Sequence, residues 1–193
     1  MKNARRNIDL DYPHLGGNTD SDRTFYPRLY EYIIKKHTPK EMIDIGAGKG
    51  RTAMFFKLKG VNVSVVDGLP SNVKCLKNNF EKCYLNDYSK SNLITNSLFD
   101  IGWCCEVLEH IEEKYLDNIF DTFKKCKNVF ITHALPKQKG WHHVNCRESD
   151  YWVEMFNANN FKLNEKETIY TRKLANFYYK KTGMVFVNEK FKK

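Results

Sequence analysis

A short apolar run that ends in an acid and then turns through alternating glycines, Met42-Ile43-Asp44-Ile45-Gly46-Ala47-Gly48-Lys49-Gly50, limits what this chain can fold into. Met42 to Ile45 reads as a buried strand, and the glycines read as a turn onto the N-terminus of a helix. Glycine suits such a turn because it adopts positive φ without strain and lets a ligand approach the backbone closely. The spacing is Gly-x-Gly-x-Gly. It is neither the Gly-x-Gly-x-x-Gly of dinucleotide-binding turns nor a phosphate loop with its closing Lys-Ser/Thr. The residues at the ends of the later strands have to decide what the turn serves.

Strands and helices alternate after it. The pattern predicts a helix over 24–37 with Pro27 in its first turn and Pro39 beyond its end, then a helix over 51–59. Further strands are expected at 61–67, 82–85, 99–105 and 128–132, with helices at 70–79, 115–125 and 151–157 between and after them. The segments 161–172 and 184–187 read as a terminal antiparallel pair. This alternation predicts an α/β fold, a doubly wound and mostly parallel sheet closed by a C-terminal antiparallel strand pair.

The 193 residues suit one domain. We expect 24–193 to form it and 1–23 to form an N-terminal arm, either packed on the surface or acting as a lid. Within the arm, 1–9 reads as loosely attached and Leu10 to Asn18 as an aromatic- and glycine-containing loop. The six cysteines form no Cys-x-x-Cys pair and several fall in apolar runs, so they read as reduced thiols of a cytoplasmic protein. The polar N-terminus lacks a signal-peptide pattern, and no apolar run nears the roughly 20 residues a membrane span needs. A net charge of +9 raises nucleic acid as a partner, but the lysines are dispersed along the chain and the densest basic run, 190–193, is terminal.

In a doubly wound sheet, ligands bind beyond the carboxyl ends of the strands. Those ends carry the glycine turn with Asp44, then Asp67 followed by Gly68, then Asp87-Tyr88, then Glu106. An ionised acid closing the second strand is suited to a ribose diol, because it accepts from both hydroxyls. Asp87 and Tyr88 are placed to meet an adenine amino group and ring face.

These segments, with Phe99-Asp100 running into Glu106-Val107-Leu108-Glu109-His110, together resemble the class I S-adenosylmethionine (SAM)-dependent methyltransferases over about residues 40–133. The resemblance implies that the turn from Asp44 through Gly46, Ala47, Gly48 and Gly50 passes beside the amino-acid end of SAM, that Asp67 holds its ribose, and that Asp87 lies near its adenine. Leu15-Gly16-Gly17-Asn18, His142-His143-Val144-Asn145 and Tyr151-Trp152 also look like segments of a set of small viral, phage and microbial methyltransferases, some of which modify glycan sugars.

Glu106, Glu109 and His110 stand at i, i+3 and i+4, a spacing that puts them on one face if the segment is helical. Gly140-Trp141-His142-His143 follows the fifth strand on the same side of the sheet. Two carboxylates and two histidines, Glu106, Glu109, His110 and His143, are able to hold Mg²⁺ or Mn²⁺. The arrangement is similar to that of metal-using O-methyltransferases acting on the 3′-terminal ribose of small RNAs or on catechols in ubiquinone biosynthesis. Without a metal, His142 or His143 serves as general base, or alignment of the methyl group alone suffices. The same Glu-x-x-Glu-His also opens the post-strand segment of metal-free relatives. The first expectation is O-methylation of a sugar, glycan or small polyol; the rivals are ribose 2′-O-methylation of RNA and a binding subunit without catalysis.

Overall fold

The computed structural model describes residues 9–16 and 22–192. Residues 1–8, Gly17 and Asn18 of the expected arm, and Lys193 of the basic tail lie outside the described residues. Five strands, β1 (Glu41–Ile45), β2 (Asn62–Asp67), β3 (Cys83–Leu85), β4 (Phe99–Cys104) and β5 (Cys126–Ile131), pair in parallel. β6 (Phe161–Leu163) and β7 (Met184–Asn188) complete the sheet antiparallel, in the order β3-β2-β1-β4-β5-β7-β6. This is the expected doubly wound, mostly parallel sheet with a C-terminal antiparallel pair. Strand order reverses between β1 and β4, where Ile45 lies opposite Cys104, and there the splayed connections leave a crevice.

Side chains alternate across the pleat, so each central strand feeds two cores. Met42, Trp103 and Phe130 face Tyr26 and Tyr30 at the start of α1 (Pro27–His37) and Tyr179 of α7 (Phe177–Thr182), with Trp103 and Tyr179 stacked at 5.4 Å. Ile43, Ile45, Val129 and Ile131 face Phe120 of α4 (Leu116–Phe123) and Trp152 and Phe156 of α5 (Ser149–Ala158). α2 (Arg51–Leu58) and α3 (Pro70–Leu76) cover β2 through Ala53 and Leu76. Among the described residues no helix is long and apolar enough to cross a membrane, and all six cysteines are free.

Two expectations about elements need correction. The segment 161–172 is not one strand: β6 ends at Leu163, and Asn164 caps α6 (Glu165–Leu174) by accepting from the Glu167 N–H at 3.1 Å. Asn-x-x-Glu is a capping-box signature, and it overrides the β-prone residues that follow. The first helix also starts later than expected. A 3-10 turn over Asp22–Thr24 precedes it, and Pro27, which needs no donor partner, opens α1.

Candidate active site at the carboxyl edge of the sheet

The glycine turn leaves β1 with Gly46, Gly48 and Gly50 at φ of 70°, 56° and 76°. A side chain at Gly46 would put its Cβ 2.3 Å from a Val107 methyl, so this glycine lets the β4 connection pack against the turn at the switch point. Asp67 is drawn tightly to the same turn. Its carboxylate accepts from the Gly48 N–H at 2.7 Å, the Leu69 N–H at 2.8 Å and Asn72 Nδ2 at 3.1 Å. Burial raises its pKa, and those donors offset the rise in part. Three donors do not exhaust the roughly four lone-pair sites of a carboxylate. Asp67 is therefore chemically fitted to accept from a ribose hydroxyl as well.

Asp44 lies deeper. It accepts from the Ala53 N–H at 3.1 Å in the first turn of α2, and burial, aided by the Asp67 charge, pushes its pKa up to about 7. Asp87 stands at the rim, where it accepts from Ser89 and pairs with His14 Nε2 at 2.7 Å. Burial pushes Asp87 up, but the hydrogen bonds from Ser89 and His14 prevail and hold it below the ordinary carboxylate value. Tyr88 corrects an expectation: it is not presented as a ring face for adenine. It turns into the core, with its hydroxyl 3.0 Å from Thr122 Oγ1.

Beyond β4 the geometry again departs from the expected helical face. Leu108–His110 forms a 3-10 turn, and Glu106 precedes it at φ 58°, so Glu106 does not share a helix face with Glu109 and His110. Thr132, just past β5, holds Glu106 in this left-handed conformation. Its hydroxyl donates to Glu106 Oε1 at 2.8 Å and accepts the Glu106 N–H at 2.7 Å. Thr132 escaped the sequence reading, although its place at a strand end was the available signal.

Glu109, His110 and His143 bring ligand atoms within 4.8 Å of one another. Glu106, expected as a fourth member, stands outside this group. Glu109 is fully buried, and neither carboxylate oxygen has a hydrogen-bond partner among the described residues. Burial drives its pKa well above the ordinary value, and the neighbouring Glu106 carboxylate adds to the rise. The two histidines are oriented by backbone carbonyls: Nδ1 of His143 lies 3.0 Å from the Gln138 carbonyl, and Nδ1 of His110 lies 3.2 Å from that of His142. A carbonyl only accepts, so each Nδ1 carries a proton, and in the neutral ring the lone pair is then on Nε2. That is how metal-ligating imidazoles are commonly braced. The loop is tied down as well, since the Val144 and Asn145 N–H groups donate to the Glu109 carbonyl at 2.9 and 3.1 Å.

A carboxylate and two imidazoles form a donor set that suits a divalent transition metal such as Mn²⁺ or Fe²⁺ better than the all-oxygen-seeking Mg²⁺ expected alongside it, and the unpartnered Glu109 oxygens fit such an ion. The His142 ring is not in this group; it sits at φ 48° with its ring 6.4 Å from that of His14. His133 is buried against Ser149, and burial lowers its pKa to about 4, which keeps it neutral. Trp152 is core, whereas the partly exposed Trp141 donates from Nε1 to the Pro13 carbonyl at 2.9 Å. The arm thus reaches both sides of the crevice: Leu15 rests on Gly68, and Gly16 lies against the His110 ring.

A family model described as "Methyltransferase domain" matches residues 43–133. A ubiquinone biosynthesis O-methyltransferase of Rickettsia canadensis is 28% identical over 177 residues, covering 81% of this chain and 75% of that protein. Its counterpart in Rickettsia akari is 35% identical over 98 residues, and there the match spans 44% of this chain and 39% of the relative's length. Among solved structures, a TehB-like SAM-dependent methyltransferase from Corynebacterium glutamicum superposes with a TM-score of 0.62 at 17% identity, covering 86% of this chain and 89% of that one. At that identity the likeness concerns the fold.

Proposed function

We propose that this chain is a class I SAM-dependent methyltransferase that methylates a hydroxyl of a small acceptor carrying vicinal hydroxyls, with a divalent cation held by Glu109, His110 and His143. SAM, when bound, supplies an electrophilic methyl on a sulfonium. The cation, when bound, lowers the pKa of a chelated hydroxyl and fixes its direction. The chain's own residues do the rest. Asp67 and the Gly46–Gly50 turn hold the cofactor's ribose and amino-acid end, while Glu106, fixed by Thr132, stands between the two halves of the crevice.

One observation carries this reading. Glu109 is a fully buried carboxylate with no hydrogen-bond partner among the described residues, set beside two imidazoles whose neutral rings carry the lone pair on Nε2. A buried carboxylate is stable only if protonated or matched by positive charge. The kinship with the rickettsial O-methyltransferases supports oxygen as the methylated atom. A sugar or glycan acceptor draws on no feature that a catechol would not also use. RNA finds less support still, since Lys36, Lys82, Lys90, Lys114 and Lys124 pair with carboxylates of the chain itself.

The test is methyl transfer from labelled SAM to 4-methylcatechol with and without a chelator. Turnover that stops on chelation and returns with Mn²⁺ supports the proposal, and turnover indifferent to chelation removes the cation. In that second case His143, its ring fixed by the Gln138 carbonyl, is the candidate general base.

A further inference from the structure

The loop that brings His143 into the cluster also builds a second wall. A depression of about 620 Å³ opens beside it, lined among others by Lys137, Gln138, Lys139, Gly140, His143 and Cys146. That is within the range of roughly 300–1,000 Å³ seen for small-molecule sites. No carboxylate lines it. Lys137 and Lys139 flank Gln138, the residue whose carbonyl orients His143. The turn carrying them is buckled shut: the Gln138 N–H donates to the Leu135 carbonyl at 3.0 Å, the Leu135 N–H donates back to Gln138 Oε1 at 3.3 Å, and Lys137 sits at φ 66°. Gly140 lies so close over the His143 ring that a Cβ there would come within 1.9 Å of Nε2, so the ring forms part of the floor. Neither lysine is paired with a carboxylate among the described residues, unlike the five lysines paired elsewhere on the surface.

We propose that this depression is the acceptor's second subsite, and that the acceptor bears an anionic substituent, a carboxylate or a phosphate, seated between Lys137 and Lys139 while its hydroxyls lie at His143. The inference rests on the vicinal-hydroxyl reading above and extends it to the acceptor's charge. Two ammonium groups held on either side of one peptide unit attract an anion more strongly than either alone. A positive wall beside the buried Glu109 also orients a bipolar ligand: the cation-seeking diol inward, the anion outward. Neutral acceptors lose that second anchor.

The test is calorimetric titration of the full chain, loaded with S-adenosylhomocysteine and Mn²⁺, with 3,4-dihydroxybenzoate and in parallel with 4-methylcatechol. The carboxylate ligand is expected to bind at least ten-fold more tightly, and the double variant Lys137→Gln/Lys139→Gln to bring the ratio near one. Because both side chains are exposed, the variant should melt with the parent, which a thermal scan verifies. Equal affinities in the parent, or a ratio that survives the double variant, overturn the inference. Benzoate and phenyl phosphate, which lack the diol, separate this idea from the one it rests on. Lysine-dependent binding of either one, without methylation of any catechol, keeps the anion subsite and removes the diol, and the tighter of the two identifies the anion. If neither binds and the catechols do not differ, the subsite is not there.

Discussion

Asp67 and Glu109 are both buried acids just beyond the sheet's carboxyl edge, yet they are built in opposite ways. Asp67 is held from within by two backbone amides and an asparagine. Neither carboxylate oxygen of Glu109 has a hydrogen-bond partner among the described residues, and the neighbouring Glu106 carboxylate adds to the effect of its burial. The first side of the crevice is finished before any ligand arrives, because its acid also closes the glycine turn. The second side stores an unfavourable arrangement that only a proton or a cation relieves. A ligand on the cofactor side adds to a preformed lattice, whereas a ligand on the acceptor side completes one.

The largest effect expected from this contrast is at Glu109. Glu109→Gln keeps the shape but removes the charge, and turnover on 4-methylcatechol should fall by roughly 10²–10⁴-fold, the scale of losing a group that activates the reacting hydroxyl. Stability should move the other way. Glu109 has a raised pKa in the folded state, so the fold loses stability as pH rises above the unfolded-state value. The metal-free variant should therefore melt above the metal-free parent at pH 8, and Mn²⁺ should raise the melting temperature of the parent alone. Equal melting of both proteins at pH 8 would break the contrast with Asp67.

Asp44 offers a control buried on the finished side. Its folded-state pKa is about 7 against an ordinary 3.8, so the folded protein binds more protons than the unfolded chain across that window and loses stability as pH rises through it. Asp44→Asn retains an oxygen for the Ala53 N–H and should flatten the slope, ending roughly 2–4 kcal/mol more stable above pH 7. Denaturant midpoints at pH 4.5 and 8 check this. An unchanged slope would mean that Asp44 is ionised in the fold.

The two sides also differed in how far they could be read from sequence. The parallel strands, their order of use and the acids at their ends follow from apolar runs, glycines and period, because the backbone itself imposes those choices. Asp67 beside Gly48 is legible for that reason. Glu106, Glu109 and His110 look like one helix face at i, i+3 and i+4. A left-handed residue at Glu106 and a 3-10 turn break that face, and the hydroxyl that enforces the break, Thr132, comes from another strand. Tyr88 misled similarly. An aromatic after a strand end reads as a ligand platform until tertiary packing supplies Thr122 as its partner. The α6 start was legible in principle from Asn164 and Glu167, but β-prone neighbours outweighed it.

Smaller effects sharpen the comparison. Asp67→Asn should weaken SAM by roughly 1–3 kcal/mol, about 5- to 150-fold in Kd by calorimetry, with Mn²⁺ affinity unchanged. Loss of Mn²⁺ binding in that variant would join the two sides into one unit. Thr132→Val removes both contacts to Glu106 and should cost about 1 kcal/mol in kcat/KM. Thr132→Ser should restore it, and failure of that rescue would show that the methyl packing, not the hydroxyl, matters.

The smallest effect belongs to the arm, and it asks whether the two sides are independent. His14 pairs with Asp87 on the cofactor side, Gly16 lies on His110 on the acceptor side, and Pro13 accepts from Trp141 between them. The His14–Asp87 pair is partly solvated, so its loss in His14→Ala should cost no more than about 1 kcal/mol, a two- to five-fold weakening of SAM. If the arm is a strap across the crevice, the same substitution weakens Mn²⁺ by a similar factor although His14 is no ligand. Bound SAM should then tighten Mn²⁺ and Mn²⁺ tighten SAM equally, because a coupling free energy is reciprocal. Trp141→Phe, which removes only the contact to Pro13, should reduce that coupling while leaving each ligand's separate affinity nearly intact. An arm that belonged to one side alone would shift one affinity and leave the coupling at zero.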